Sequence, residues 1–239
     1  DPNGRHHDRV CQDCGGAFDL SPHYLEEFRK VLTQEFGFEP NLDNFTFKGR
    51  ATVDLEVLEP TREITLNCIE IAIQSCKVTL DGGRSLFPRE TAFDEPRETA
   101  TFKFDSVLPR GAATLDIDYT GELNDKLRGF YRSHYTSADG EQRFLATTQF
   151  EATDARRAFP CWDEPSIKAT FETTLVIPSH LIAIFNTPAI SETPTEPGAK
   201  RVLFSETPPM STYLLAFVVG ELESIEARSE GGTLVRVWT

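Results

Sequence analysis

Alternation of apolar and polar residues predicts an all-β protein built from several packed, mostly antiparallel sheets. Three observations carry this. Short alternating runs recur from Phe45 to Trp238, and period-2 alternation marks half-buried strands. Gly, Pro and Asp signals separate the runs at short intervals, as turns require. Helical spacing occurs in one place only, within residues 21–37.

In chain order, residues 1–20 are polar and lack a period. They contain His6, His7 and a lone C-x-x-C, Cys11 and Cys14. No second metal-ligand pair follows at a suitable spacing, so this is at most half of a metal site. Ser21 offers an N-cap and Pro22 a first-turn residue. Leu25, Phe28, Val31 and Leu32 recur at helical spacing and Gly37 can end the run, which predicts a short amphipathic helix. Residues 1–37 are therefore read as an atypical polar and helical segment, and residues 38–239 as the β domain.

From Phe45 the period becomes two. Phe45, Phe47, Ala51, Val53, Leu55 and Val57 alternate with polar residues, with Gly49 out of step, until Glu59-Pro60. Residues 64–68, 69–73 and 76–80 read as short strands, and Asp81-Gly82-Gly83 as a turn. The charged stretch 84–97, with two prolines, reads as a loop. Strands are expected over 99–104, 112–119, 127–135 and 143–151, the last entered by a hairpin turn at Asp139-Gly140. Further strands are expected over 169–177, 182–186, 201–204, 213–219, 221–226 and 233–238. The proline-rich segment 187–199 reads as a loop.

Composition narrows the function. With 239 residues and 18 Phe, the chain can bury a substantial core. Its net charge of −14 argues against nucleic acid, which needs a basic footprint, and against anionic membrane surfaces. It is compatible with cationic ligands such as peptide amino termini. Five scattered cysteines form no disulfide framework, and no apolar run is long enough to cross a membrane. A reducing, soluble, cytoplasmic setting is the expectation, against which the N-x-T acceptor at Asn44 is slight evidence.

The stretch Thr147 to Pro165, T-T-Q-F-E-A-T-D-A-R-R-A-F-P-C-W-D-E-P, concentrates the chemistry. Strand alternation places Leu145, Thr147, Gln149 and Glu151 on one face and Phe144, Thr148 and Phe150 on the other. Gln149 and Glu151 would stand ~7 Å apart along the strand. An amide and a carboxylate so placed can hold an ammonium. Alternating strands ordinarily carry polar residues outward, so pattern alone leaves the two as solvated residues. After Asp154 the prolines end the strand. The charges of the tight loop that follows, Asp154, Arg156, Arg157, Asp163 and Glu164, can satisfy one another. Cys161, in P-C-W with no His close in sequence, reads as core packing.

The same stretch resembles the signature of the zinc aminopeptidase family that includes aminopeptidase N and puromycin-sensitive aminopeptidase. There a T-Q-x-E strand precedes an A-R-x-x-F-P-C-x-D-E-P loop. Thr148, Gln149 and Glu151 match the first part. Ala155, Arg156, Phe159, Pro160, Cys161, Asp163, Glu164 and Pro165 match the second. R-G-F-Y-x-S-x-Y from Arg128 and F-S-E-T-P-P-M-S-T-Y-L-L-A-F-V-V-G-E from Phe204 are similar to the family as well, as is E-P-x-L-x-x-F-x-F-x-G from Glu39. The resemblance covers roughly residues 38–239. It implies a saddle-shaped N-terminal domain that leans on a catalytic domain C-terminal to it. It also implies that Glu151 binds the free α-ammonium of a peptide substrate and that Gln149 lines the pocket for the first side chain.

The family's zinc is held by H-E-x-x-H and a downstream Glu, and a G-A-M-E-N strand binds the substrate amino terminus. None of the five histidines is followed by Glu, and the only methionine is Met210, in P-P-M-S-T. No cofactor is therefore expected in this chain; zinc belongs to the catalytic domain that the resemblance implies. Two other readings stay open: a truncated interaction module with the same fold and no reaction, and a metal-binding protein using Cys11 and Cys14.

Overall fold

The computed structural model describes residues 31–137 and 139–239. Strands are numbered along the chain. The largest sheet has eight, in the spatial order β13 (Ala189–Pro194), β14 (Ala199–Phe204), β11 (Thr170–Pro178), β1 (Val31–Asn41), β2 (Thr46–Val57), β8 (Gly111–Glu122), β4 (Ile71–Leu80) and β5 (Ser85–Leu86). A second sheet runs β12 (Ile182–Phe185), β15 (Phe217–Gly220), β10 (Gln142–Gln149) and β9 (Gly129–Thr136). A third runs β3 (Thr61–Asn67), β7 (Thr99–Leu108) and β6 (Glu90–Asp94). The last is a two-stranded ribbon, β16 (Ser224–Arg228) with β17 (Leu234–Trp238). Among these strand pairings only β1 with β11 is parallel. The protein is all-β, and helical geometry in the described residues is limited to single 3-10 turns at Ala155–Arg157 and Thr212–Leu214.

Strand β1 overturns the helical reading for residues 31–37. The rest of that predicted helix, with Ser21, Pro22, Leu25 and Phe28, lies outside the described residues, as do His6, His7, Cys11 and Cys14. Gln34, Phe36, Phe38 and Pro40 point inward while Glu35 and Glu39 are exposed, a period of two. The strand is held on both edges, antiparallel to β2 and parallel to β11. Two ladders and two buried phenylalanines outweigh the helical spacing, because local propensity is a weak prior against tertiary context. The boundary drawn at residue 37/38 falls inside this strand.

Gly49 is in step, not out of it. In β2 the inward row is Phe47, Gly49, Ala51, Val53, Leu55 and Val57. Gly49 faces Tyr119 and Phe47 faces Gly121 across the β2–β8 ladder. A Cβ on Gly49 would lie 2.1 Å from the Tyr119 ring, and one on Gly121 would lie 2.4 Å from the Phe47 ring. Each glycine thus leaves the room that the opposite ring fills, a close approach only glycine permits.

Other expectations shift at edges. The stretch 84–97 contains β5 and β6, and the stretch 187–199 contains β13. All are short and polar, and β6 and β13 lie on sheet edges, where strands need little apolar content. Residues 69–73 and 76–80 merge into β4, with a register shift between Ile73 and Ser75. Tyr213 sits in a 3-10 turn before β15.

Phenylalanines join the layers. Phe36 and Phe38 of the large sheet meet Phe159 and Phe217, with ring centroids 4.3 Å apart for Phe36–Phe159 and 4.9 Å for Phe38–Phe217. Phe130 of β9 touches Phe47 at 5.0 Å and Phe217 at 4.8 Å. These rings are at most 2% exposed, and aromatic packing of this kind dominates core energetics.

Candidate functional site

Strand β10 carries the stretch Gln142–Gln149 into the site. It pairs with β9 along its length, and Gln149 stands opposite Gly129, where β9 begins. Ala146 and Phe150 are buried, whereas Gln149 and Glu151 are exposed. The alternation places Gln149 as expected. Glu151 differs in one respect: it lies past the end of the strand, in the first position of a turn. The ladder ends because β9 offers no residue beyond Gly129 to pair with. The Phe150 ring is drawn into the core, 5.7 Å from Phe159 and 6.3 Å from Phe217. The Phe150 carbonyl then accepts from the Asp154 N–H at 2.9 Å, which closes the turn around Glu151. The result is an amide and a carboxylate presented to solvent on either side of a buried anchor.

The loop behind them is built differently. Arg156, Arg157 and Asp163 are 8%, 9% and 2% exposed. Arg156 Nε donates to Asp163 Oδ2 at 3.0 Å and its Nη1 to Glu98 Oε2 at 3.1 Å. Arg157 pairs with Asp154 at 2.7 Å, Glu70 at 2.9 Å and Glu98 at 3.2 Å. Burial disfavours both guanidinium charges, yet the surrounding carboxylates outweigh it and hold both pKa values above the ordinary arginine value. Asp163 also accepts from Thr212 Oγ1 at 2.7 Å, and its N–H donates to Asn67 Oδ1 at 3.1 Å. Asn67 and Cys161 exchange both backbone hydrogen bonds, at 2.8 and 3.1 Å. One loop therefore stitches the end of β3, the turn before β15 and the end of β10 together.

Glu164 departs from the expectation that the loop's charges satisfy one another. It is half-buried, and no ion pair forms at it among the described residues. Burial pushes its carboxyl above the usual range, Arg156 pulls it down, and neighbouring Asp163 pushes it up again. Cys161 is buried, and burial drives its thiol far from ionisation, with Asp163 adding and Arg156 opposing. A thiol so protected is no nucleophile, which agrees with core packing.

Sequence reasoning missed Glu70, Glu98, Asn67 and Thr212, which complete the network. Glu70 and Glu98 both adopt left-handed backbone, with φ of 60° and 53°. Nothing local in the sequence marks them, since their partners lie tens of residues away.

A cleft of about 1110 Å³ opens between β4, β6 and the end of β8, with Glu70 and Arg157 of the network in its lining, and another of about 680 Å³ is lined by residues that include Arg143, His180 and Arg201. Neither is lined by Gln149 or Glu151. Among the described residues no group of three His, Cys, Asp or Glu side chains is placed to hold a metal ion, and no helix is long and apolar enough to cross a membrane.

The fold and loop define a β domain whose conspicuous charged motif is spent on its own structure, with one exposed amide–carboxylate pair beside it. Comparison with known proteins identifies the class. Residues 25–214 match the Peptidase M1 N-terminal domain, so the chain belongs to that family. The match begins well inside the stretch set apart as residues 1–37. The chain is 44% identical over 216 residues to puromycin-sensitive aminopeptidase of Caenorhabditis elegans, covering 90% of this chain and 23% of that protein. It is 43% identical over 215 residues to aminopeptidase M1-C of Oryza sativa subsp. japonica, covering 90% and 24%. Aminopeptidase N of Acetobacter pasteurianus is 38% identical over 225 residues, covering 94% and 62%. The chain thus spans about a quarter of the length of the first two relatives.

Proposed function

We propose that this chain is the amino-terminal, substrate-recognising part of a cytoplasmic zinc metallo-aminopeptidase. In this reading Glu151 accepts the free α-ammonium of a peptide, and Gln149 lines the place of the first side chain. The observation that carries it is the contrast at β10. Gln149 and Glu151 are exposed beside a buried Phe150, while every loop charge except Glu164 is committed to an internal partner. Among the described residues the Glu151 carboxylate forms no ion pair, which suits it to a ligand cation, and a charge-assisted contact to an ammonium selects the chain terminus, because a peptide interior offers none.

Catalysis in this reading needs the H-E-x-x-H motif, which this sequence does not carry, so zinc and the hydrolytic step are assigned to a further, C-terminal portion. The chain's own contribution is to bind and orient. The pure chain, with or without added zinc, is expected to release no amino-terminal residue from a peptide. Zinc-dependent turnover by the pure chain would contradict the assignment of roles. A coding sequence that continues beyond Thr239 into H-E-x-x-H supports the peptidase; a stop codon there favours an interaction module.

A further inference from the structure

Arg157 joins the buried network to the exposed pair. Its guanidinium is anchored in two other parts of the molecule. Nη1 meets Glu70, the residue before β4, at 2.9 Å, and Nη2 meets Glu98, the residue before β7, at 3.2 Å. The third contact reaches back along its own chain, where Nε donates to Asp154 Oδ1 at 2.7 Å. Asp154 is the residue that closes the turn around Glu151, by donating its N–H to the Phe150 carbonyl at 2.9 Å. The Arg157 N–H donates to the Asp154 carbonyl at 3.1 Å, so backbone and side chain both hold the end of that turn.

Arg157 also touches the partner of Gln149. Gly129 faces Gln149 across the β9–β10 ladder, with a φ of 67°. A Cβ on Gly129 would lie 2.8 Å from Arg157 Cβ, so the arginine stem occupies room that only glycine leaves. The Arg156 side chain is turned the other way, to Asp163 and Glu98. We propose that Arg157 is a positioning residue for the ammonium site: braced on Glu70 and Glu98, it holds Asp154 and with it the turn that presents Glu151. The inference rests on the reading of Glu151 as the ammonium acceptor. Glu151 is exposed and, among the described residues, forms no ion pair, so the backbone of its turn sets where its carboxylate stands. The strength of a charge-assisted contact depends on that distance and direction. A planar guanidinium fork suits three carboxylates in fixed places, and a flexible lysine ammonium does not.

Equilibrium binding to the full-length gene product tests this. The probe is a dipeptide analogue with a ketomethylene link in place of its amide, its amino terminus either free or acetylated. Asp154→Ala removes the tie to the turn and leaves Arg157 paired with Glu70 and Glu98. Arg157→Lys keeps the charge and loses the fork. Each should weaken binding of the free form about 10-fold, part of what a hydrogen bond to a charged group contributes, and leave the acetylated form unchanged. Arg156→Lys should lower the thermal midpoint and leave the preference for the free form intact. The double variant E151A/D154A should bind no more weakly than E151A alone, since residues acting through one contact are not additive. Unchanged preference in Asp154→Ala, an equal loss for both forms, or an additive double variant would overturn the proposal. So would a lost preference in Arg156→Lys, because any loosening of the loop would then suffice. Glu151→Ala separates the two readings. If it leaves the preference unchanged, the ammonium site itself is misplaced; if it abolishes the preference while Asp154→Ala retains it, only the role of Arg157 falls.

Discussion

Glu151 and Asp163 belong to one short stretch of chain, carry the same charged group, and do opposite work. Asp163 is 2% exposed; its carboxylate accepts from Arg156 and from the Thr212 hydroxyl, and its backbone N–H donates to Asn67 Oδ1 at the end of β3. Its charge is held by Arg156 and Thr212 and is not offered to solvent. Glu151 stands in solvent at the end of β10. The difference does not come from residue type. It comes from where the strand stops: Phe150 turns into the core, the chain reverses at Asp154, and whatever follows is pulled under the sheet. Carboxylates within one motif can therefore be sorted into structural and available groups by their partners, and the sorting is sharp enough to break by mutation.

The largest effect should come from the structural side. Arg156→Ala leaves Asp163 buried without its guanidinium, at a cost of about 3–5 kcal/mol. For a chain of this size that is a fall of roughly 6–20 °C in thermal midpoint. An unchanged midpoint would mean the loop is solvated and the contrast with Glu151 is false. Gly49→Ala should cost about 1–3 kcal/mol by forcing the Tyr119 ring aside, as overpacking does. A neutral result there, read by denaturant titration, would show that the ring has room the structure does not display.

Glu164 sharpens the comparison, because it lies between the two extremes. Its folded pKa is raised above the ordinary 4.5, first by burial. The folded state therefore binds its proton more tightly than the unfolded one. That contribution is fully present below 4.5 and is lost as pH rises through the folded value. Glu164→Gln should raise the thermal midpoint at pH 7 and leave it almost unchanged below pH 4. A loss of stability at pH 7 would show that the ionised carboxylate has a partner and belongs with Asp163.

Much of this could be read in the chain before any coordinates. Alternation gave the β class, the segments that became β2, β7, β8, β10 and β11, and the split between Gln149 outside and Phe150 inside. The loop motif gave the pairing of Arg156 with Asp163. What failed was non-local. Helical spacing misleads over residues 31–37 because one of the two ladders that hold them, the parallel one to β11, is made with residues far along the chain. Glu70 and Glu98 were invisible because their role depends on a left-handed backbone and on arginines far along the sequence. Gly49 looked like an interruption because its reason is a ring on the next strand.

The exposed side of the comparison rests on Glu151→Ala, measured in the full-length gene product for both stability and the peptide binding proposed above. The substitution should move the thermal midpoint by less than about 0.5 kcal/mol equivalent, as exposed changes do. It should weaken binding of a peptide with a free amino terminus by about 1.5–3 kcal/mol, the worth of a hydrogen bond to a charged group, and leave an amino-terminally acetylated ligand unaffected. A destabilised fold with amino-terminal binding and turnover intact would contradict this and make Glu151 a structural carboxylate like Asp163.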